Sequence, residues 1–199
     1  KPTTHLAYDE STAILGGSSL LIYAFQYLSQ EVTHPKEKIR NELIYEFASS
    51  IGASGMLAGQ FLDLQAEKTT SKVGIKGLED IQIRKTGALI SFCVKSGGIL
   101  GNVSKKNKKI LSDYGFLLGR IFQITDDILD VTSTAEKLGK EVNKDINKNK
   151  ATLIRLRGLS ASKKKAKELS IKAKNKVIEL GFGGSILEYI VDYVLNRDK

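Results

Sequence analysis

The sequence has little of the residues that cross-link chains or interrupt helices. Of its 199 residues, one is cysteine and two are proline, and both prolines lie before residue 36. A single cysteine excludes an internal disulfide and predicts a reducing compartment, here the cytoplasm. His34-Pro35 is expected to interrupt the helical pattern, and because no proline follows, the rest of the chain can be helical. Apolar periodicity predicts helices over residues 37–50 and 186–195, the second packing back on the core, whereas residues 132–138 are typical of a turn. Glycines inside apolar runs predict close helix packing. Cys93 lies in an apolar stretch, which predicts a buried structural thiol rather than a nucleophile.

Long apolar runs are missing too. No stretch approaches the ~20 residues of a transmembrane helix, and the most apolar one, residues 13–25, is interrupted by Gly16-Gly17-Ser18-Ser19. The first residues lack the pattern of a signal peptide. The chain begins at Lys1 rather than Met, as though cut from a longer protein. Its length fits a single domain, residues 1–199, with a sizeable core and no membrane span.

Positive charge is concentrated in one segment. The chain has a net charge of +9, but residues 137–176 alone hold 14 Lys or Arg against three acidic residues. A nucleic-acid-binding segment is one interpretation. However, no aromatic residue is interleaved there for base stacking, and phosphate binding explains part of the segment better. Residues 163–176 are charged on most sides, with Leu169, Ile171 and Val177 as anchors, which predicts a solvated helix.

Residues 119–131 combine an apolar helix with three carboxylates on one face. At 100° per residue, Asp126, Asp127 and Asp130 fall within a ~100° arc, and Gln123 projects into the same arc. Carboxylates so placed repel one another and are costly to desolvate, so a cation is expected opposite them. Mg2+ suits such oxygen ligands. The alternative, a solvated acidic edge, is disfavoured by the apolar flanks and by the lysines that follow.

The stretch Phe122-Gln123-Ile124-Thr125-Asp126-Asp127-Ile128-Leu129-Asp130 resembles the second aspartate-rich motif of the trans-isoprenyl diphosphate synthases, most closely that of farnesyl diphosphate synthases. Further segments resemble the same family in the same order, over essentially the whole chain: Lys1-Pro2-Thr3-Thr4-His5, residues 55–64, Lys85-Thr86-Gly87 and Leu138-Gly139-Lys140. The resemblance implies an all-α, isoprenoid synthase-type helical bundle around a central cavity, here without its N-terminal helices, and usually a homodimer.

The resemblance also implies a role for each matching residue. The metal ligands for Mg2+ would be Asp126, Asp127 and Asp130. Lys85, Thr86 and Gln123 would take part in catalysis, Lys85 by binding the allylic diphosphate and the other two by turning dipoles towards the carbocation. The residues that would bind substrate are His5, Gln60, Lys85, Lys140 and Lys150. Asp63 would border the metal site without ligating it, and Asp145 would hold the lysines or a metal-bound water.

The implied reaction is the head-to-tail condensation of isopentenyl diphosphate with an allylic diphosphate. In the family, two aspartate-rich motifs and an arginine pair complete the site. The 199 residues of this sequence contain one DDxxD pattern, that of residues 126–130. We therefore expect weak catalysis by this chain. One alternative is a non-catalytic subunit or relic that modulates a partner synthase. A remote alternative is a basic helical nucleic-acid binder.

Overall fold

The structure, a computed structural model, describes residues 1–68, 73–138, 152–181, 183 and 185–197. Within these ranges every regular element is helical, which confirms the predicted all-α class. The elements are α1 Thr4–Ala7, α2 Glu10–Ser29, α3 Glu37–Ile51, α4 Met56–Lys68, α5 Ile75–Gln82, a π-helical turn Ile83–Gly87, α6 Ala88–Leu100, α7 Lys105–Leu138, α8 Leu153–Arg157, α9 Leu159–Glu179 and α10 Ile186–Asn196. None of the helices within the described ranges is both long and apolar enough to cross a membrane.

The chain divides into two compact units, Lys1–Glu46 and Phe47–Lys199, and the predicted single domain stays a prediction. In the first unit, Asp9 caps α2, since its Oδ1 accepts a hydrogen bond from the Thr12 amide at 2.7 Å. The helix ends before Gln30, and α3 begins after Pro35, so the predicted break at this proline is confirmed.

Helix α2 is apolar but has no buried residue. Its apolar side chains are spread around the helix rather than confined to one stripe, a pattern typical of helices that are covered on all sides. An open groove of about 790 Å3 lies along α1 and α2 within this unit. The exposed large apolar side chains of α2 are Ile14, Leu15, Leu20, Leu21, Ile22, Tyr23 and Tyr27.

The core of the second unit is built around α7, which packs against α6, α9 and α10. Tyr114, Ile121 and Ile124 of α7 are at most 1% exposed. The Tyr114 hydroxyl donates to the Leu187 carbonyl at 2.8 Å, which ties α7 to α10. Burial raises the pKa of Tyr114 to about 12. As predicted, α10 packs back on this core, with Val191 fully buried.

Glycines let α7 pass close to the segment that precedes it. A Cβ at Gly115 would lie 2.4 Å from the Ser91 Cα, and one at Gly119 would lie 2.7 Å from the Gly87 Cα. Either side chain would push the backbones apart. The prediction that glycines in apolar runs serve close helix packing is therefore confirmed, and the packing places residues 119–131 against the π-helical turn.

Two predicted elements differ from the structure. Residues 132–138, predicted to be a turn, continue α7. Thr132 is accommodated because its Oγ1 donates to the Ile128 carbonyl at 2.9 Å, inside the helix. The segment 163–176 was predicted to be solvated, yet α9 buries a stripe of residues against the core: Ser162, Ala166, Leu169, Ser170, Ala173 and Val177. Two of the predicted anchors, Leu169 and Val177, belong to this stripe, and small residues supply the rest of the contact. The third predicted anchor, Ile171, is 54% exposed.

The predicted burial of Cys93 is wrong. Its thiol is free and the residue is exposed on α6. The neighbouring Phe92 packs against Phe47, with ring centroids 5.2 Å apart. Along one helical stretch, side chains at adjacent positions point in different directions, so an apolar run does not bury each of its members.

Candidate active site

A cavity of about 20 Å3 lies in the second unit, where α4, α5, the π-helical turn and α7 meet. Its lining consists of Asp63, Leu78, Ile81, Gln82, Lys85, Gln123 and Asp127. Two carboxylates, two amides and one ammonium group thus face one small space. The fold gathers them from positions separated by more than sixty residues along the chain.

Lys85 lies in the π-helical turn and pairs with Asp63 of α4. The Asp63 side chain is 13% exposed and that of Lys85 is 32% exposed, so the pair is largely shielded from solvent. Gly59 allows this contact, because a Cβ there would lie 2.1 Å from the Lys85 amide nitrogen. Since residues 59 and 63 share one face of α4, the glycine that brings the helix close also presents the carboxylate.

A chain of hydrogen bonds joins the π-helical turn to the acidic helix. The Thr86 hydroxyl donates to Gln123 Oε1 at 3.2 Å, and Gln123 Nε2 donates to Asp127 Oδ1 at 3.3 Å. Asp127 is buried, with 4% of its surface exposed. The structure therefore brings together three residues that the sequence assigned to two separate motifs.

Asp126 faces a cation that the sequence did not identify. Arg197, after α10, donates to Asp126 Oδ1 at 2.8 Å and lies over the Phe122 ring, 4.1 Å from its centroid. The Arg197 side chain is 14% exposed, whereas that of Asp126 is 43% exposed. A contact across 71 positions leaves no periodic signal in the sequence, so Arg197 could not be assigned from it.

The acidic helix offers oxygen ligands of the kind that Mg2+ prefers. Asp126 and the exposed Asp130 are separated by one turn of α7 and lie on the same face. Within the ranges that the structure describes, no three carboxylate, imidazole or thiol groups are gathered closely enough to hold a metal ion alone. Mg2+ commonly takes one or two protein carboxylates and completes its shell with water and substrate phosphate. The donor set therefore fits Mg2+ with a phosphate ligand.

The remaining predicted residues lie elsewhere. Gln60 is exposed on α4 and is not part of the cavity lining. His5 is exposed on α1, in the first unit. Lys140, Asp145 and Lys150 lie outside the described residues.

Comparison with known proteins identifies the family. The family model described as polyprenyl synthetase matches residues 1–179. Over its full length the chain is 36% identical to a geranylgeranyl diphosphate synthase of Cyanophora paradoxa and spans 66% of that protein. It is also 36% identical over 201 aligned residues to a farnesyl diphosphate synthase of Geobacillus stearothermophilus, of which it spans 66%.

Solved structures agree. An FPP/GFPP synthase from Zymomonas mobilis superposes with a TM-score of 0.86 at 34% identity, over 98% of this chain and 64% of that one. A Helicobacter pylori geranyltransferase, solved with magnesium and isoprenyl diphosphate, gives a TM-score of 0.81 at 30% identity, over 98% and 63% of the two chains. This chain belongs to the polyprenyl synthetase family, as its motifs indicated, and it spans at most two thirds of the length of these relatives.

Proposed function

We propose that this chain forms the diphosphate-binding part of a Mg2+-dependent prenyltransferase site of the farnesyl or geranylgeranyl diphosphate synthase type. The observation that carries the proposal is that Asp63, Lys85, Gln123 and Asp127 converge on one small cavity, while Asp130 follows on the same face of α7. The diphosphate and Mg2+ would bind beside this cluster rather than inside the cavity. In the reaction, the C–O bond of an allylic diphosphate breaks and pyrophosphate leaves. The double bond of isopentenyl diphosphate then attacks the allylic carbon, and a proton is lost to the released pyrophosphate.

The residues of the site match the charges that develop in this reaction. Lys85 presents an ammonium group where negative charge grows on the leaving pyrophosphate. The Thr86 carbonyl and the Gln123 amide oxygen offer the negative ends of their dipoles to the allylic cation. Preorganised groups of this kind are most effective in a site that is shielded from bulk water. When bound by Asp126 and Asp130, with Asp127 as a further candidate, Mg2+ would act as a Lewis acid on the diphosphate.

The proposal extends to residues beyond the cavity. His5, Gln60, Lys140 and Lys150 would bind substrate, and Asp145 would orient the lysines, as their motifs imply. A homodimer is supported by α2, whose apolar side chains are exposed in a single copy of the chain. The single cysteine supports a cytoplasmic location.

Binding of inorganic pyrophosphate, measured by titration calorimetry with and without Mg2+, tests the proposal. We expect binding that requires Mg2+ and that weakens about tenfold in Lys85→Met and in Asp126→Asn, since each removes one charge contact of about 1.4 kcal/mol. Lys106→Met is the matched control, because Lys106 is exposed in the first turn of α7. Equal losses in the two lysine variants would show non-specific attraction to a basic protein.

Turnover is measured as Mg2+-dependent incorporation of labelled isopentenyl diphosphate with geranyl diphosphate as co-substrate. The chain is assayed alone and mixed with the part of the Cyanophora paradoxa relative that it does not match. Product in the mixture supports the proposal, and product from the chain alone would show that one aspartate-rich motif suffices. The exposed apolar surface of α2 favours a second candidate, a non-catalytic subunit of a partner synthase. A stable heteromer without turnover in either assay would support that candidate.

A further inference from the structure

We propose that Gln82 is a positioning residue that holds the Asp63 and Asp127 carboxylates in place through one water molecule bound in the cavity. None of the motifs of the family resemblance assigns it a role. The bridge itself stands on the contacts of Gln82, whereas its effect on ligand binding rests on the proposed function.

Gln82 is the last residue of α5 and is 4% exposed. Its amide nitrogen is shut off from bulk solvent and has no hydrogen-bond partner among the residues that the structure describes. A buried donor without an acceptor is costly, and such groups in native proteins usually bind an ordered water or a ligand. Because Gln82 also lines the cavity, the cavity is where an acceptor would lie.

The size of the cavity selects the acceptor. Its volume of about 20 Å3 exceeds the ~10–15 Å3 that one water requires, and it is far too small for a phosphate group. A buried water typically makes about three hydrogen bonds to polar groups. The polar lining of this cavity supplies at least three groups, so it fits a water and not an empty apolar void.

The carboxylates of the lining can also accept hydrogen bonds from a water. Lys85 already donates to Asp63, and Gln123 already donates to Asp127. A carboxylate has about four acceptor sites, so each retains capacity for a further hydrogen bond. A water that accepts the Gln82 N–H can therefore donate one proton to each carboxylate.

This bridge connects α4, α5 and α7 at the site. Without it, the buried Gln82 amide would have no acceptor, and the two carboxylates would lose a donor that they share. With it, Asp127 is held in one orientation, and through Asp127 so is Gln123, which accepts the hydrogen bond of Thr86. Gln82 thus acts on the candidate catalytic groups through its neighbours.

Two substitutions separate this role from simple packing. Gln82→Met keeps the length of the side chain but removes the donor, whereas Gln82→His keeps a ring N–H at a similar reach. Gln30→Met, at an exposed position, is the matched control. We measure Tm without ligands and the Kd for pyrophosphate in the presence of Mg2+. In Gln82→Met we expect Tm to fall by about 3 °C and Kd to rise about tenfold, with both largely restored in Gln82→His.

The opposite result has a clear meaning. If Gln82 is only an unsatisfied amide, Gln82→Met raises Tm and leaves Kd unchanged, and the proposal is wrong. If the unmodified protein does not bind pyrophosphate but Gln82→Met still lowers Tm, the water bridge stands and the proposed function fails. Should Gln82→Met not fold, a high-resolution crystal structure of the unmodified protein decides. A water within hydrogen-bond distance of the Gln82 amide supports the bridge, and a dry cavity overturns it.

Discussion

Replacing Gly59 by alanine tests whether the approach of α4 to the π-helical turn builds the site. The added Cβ would lie 2.1 Å from the Lys85 amide nitrogen, 2.5 Å from its Cα and 2.7 Å from the Arg84 carbonyl carbon. All three are backbone atoms, so no side-chain rotation relieves the contact. Ordinary contact begins near 3.4 Å, and α4 and the turn must therefore separate by more than 1 Å.

Two opposing terms set the cost in stability. Alanine is favoured over glycine inside a helix by about 1 kcal/mol. Overpacking a close backbone contact costs about 1–3 kcal/mol, and the rigid partner places this site at the upper end. We expect a net loss of about 1–2 kcal/mol in the free energy of unfolding. The effect on binding is larger, because the shift carries Asp63 away from Lys85 and a misplacement of about 1 Å can cost roughly 100-fold in function.

Urea denaturation and calorimetric titration of Mg2+ with pyrophosphate measure the two effects. Gly97→Ala is the matched control, since it is also helical but a Cβ there meets nothing within 4 Å. We expect the control to gain up to about 1 kcal/mol and to bind normally. If Gly59→Ala behaves like Gly97→Ala in both measurements, close backbone packing does not position the Lys85–Asp63 pair.

Three further predictions concern single contacts. Burial gives Tyr114 a pKa of about 12 in the folded state, whereas it ionises near 10 when unfolded, so the free energy of unfolding falls as the pH rises from about 10 towards 12. Urea titrations across this range should show a smaller fall in Tyr114→Phe, and an equal fall in both proteins would contradict the burial of Tyr114. Arg197→Ala removes the cation that competes with Mg2+ for Asp126. Calorimetry without pyrophosphate should therefore show about two- to fivefold tighter Mg2+ binding, and an unchanged affinity would mean that Arg197 does not compete with the ion. Asp63→Asn should lower the free energy of unfolding by about 1–2 kcal/mol, because Lys85 loses its counter-charge where solvent is largely excluded. The control Asp80→Asn breaks a solvent-exposed pair with Arg84 and should cost under about 1 kcal/mol; equal costs would show that shielding does not strengthen the Lys85–Asp63 pair.

The elements that the sequence predicted well are those whose apolar residues recur at a helical period. Helix α3, the acidic part of α7 and the return of α10 onto the core follow this rule. Periodicity failed where burial uses small residues, as in α9, whose contact with the core includes Ala166 and Ala173. It also failed at Thr132, because turn-forming residues are compatible with a helix when their hydroxyls bond to it.

In the candidate site, residues that lie within motifs could be predicted from the sequence, whereas residues that reach the site from outside the motifs could not. Thr86 and Gln123 could be paired through their motifs, and the structure brings them within hydrogen-bond distance. Arg197 and Gln82 could not be found in this way. Arg197 reaches Asp126 from a segment without a motif, and Gln82 stands out only once its burial is known.

The contrast between Gly59 and Gln82 explains why some functional residues can be predicted from sequence and others cannot. Residue 59 must be small and residue 63 must carry a carboxylate, and both lie on one face of α4. A sequence pattern only five residues long therefore shows both requirements. At Gln82 the constraint comes from three helices at once, and each contributes a single polar group to the cavity. A local pattern cannot record a requirement of that kind. For this reason we expect further positioning residues of this site among buried polar side chains that lack a partner rather than among the motifs.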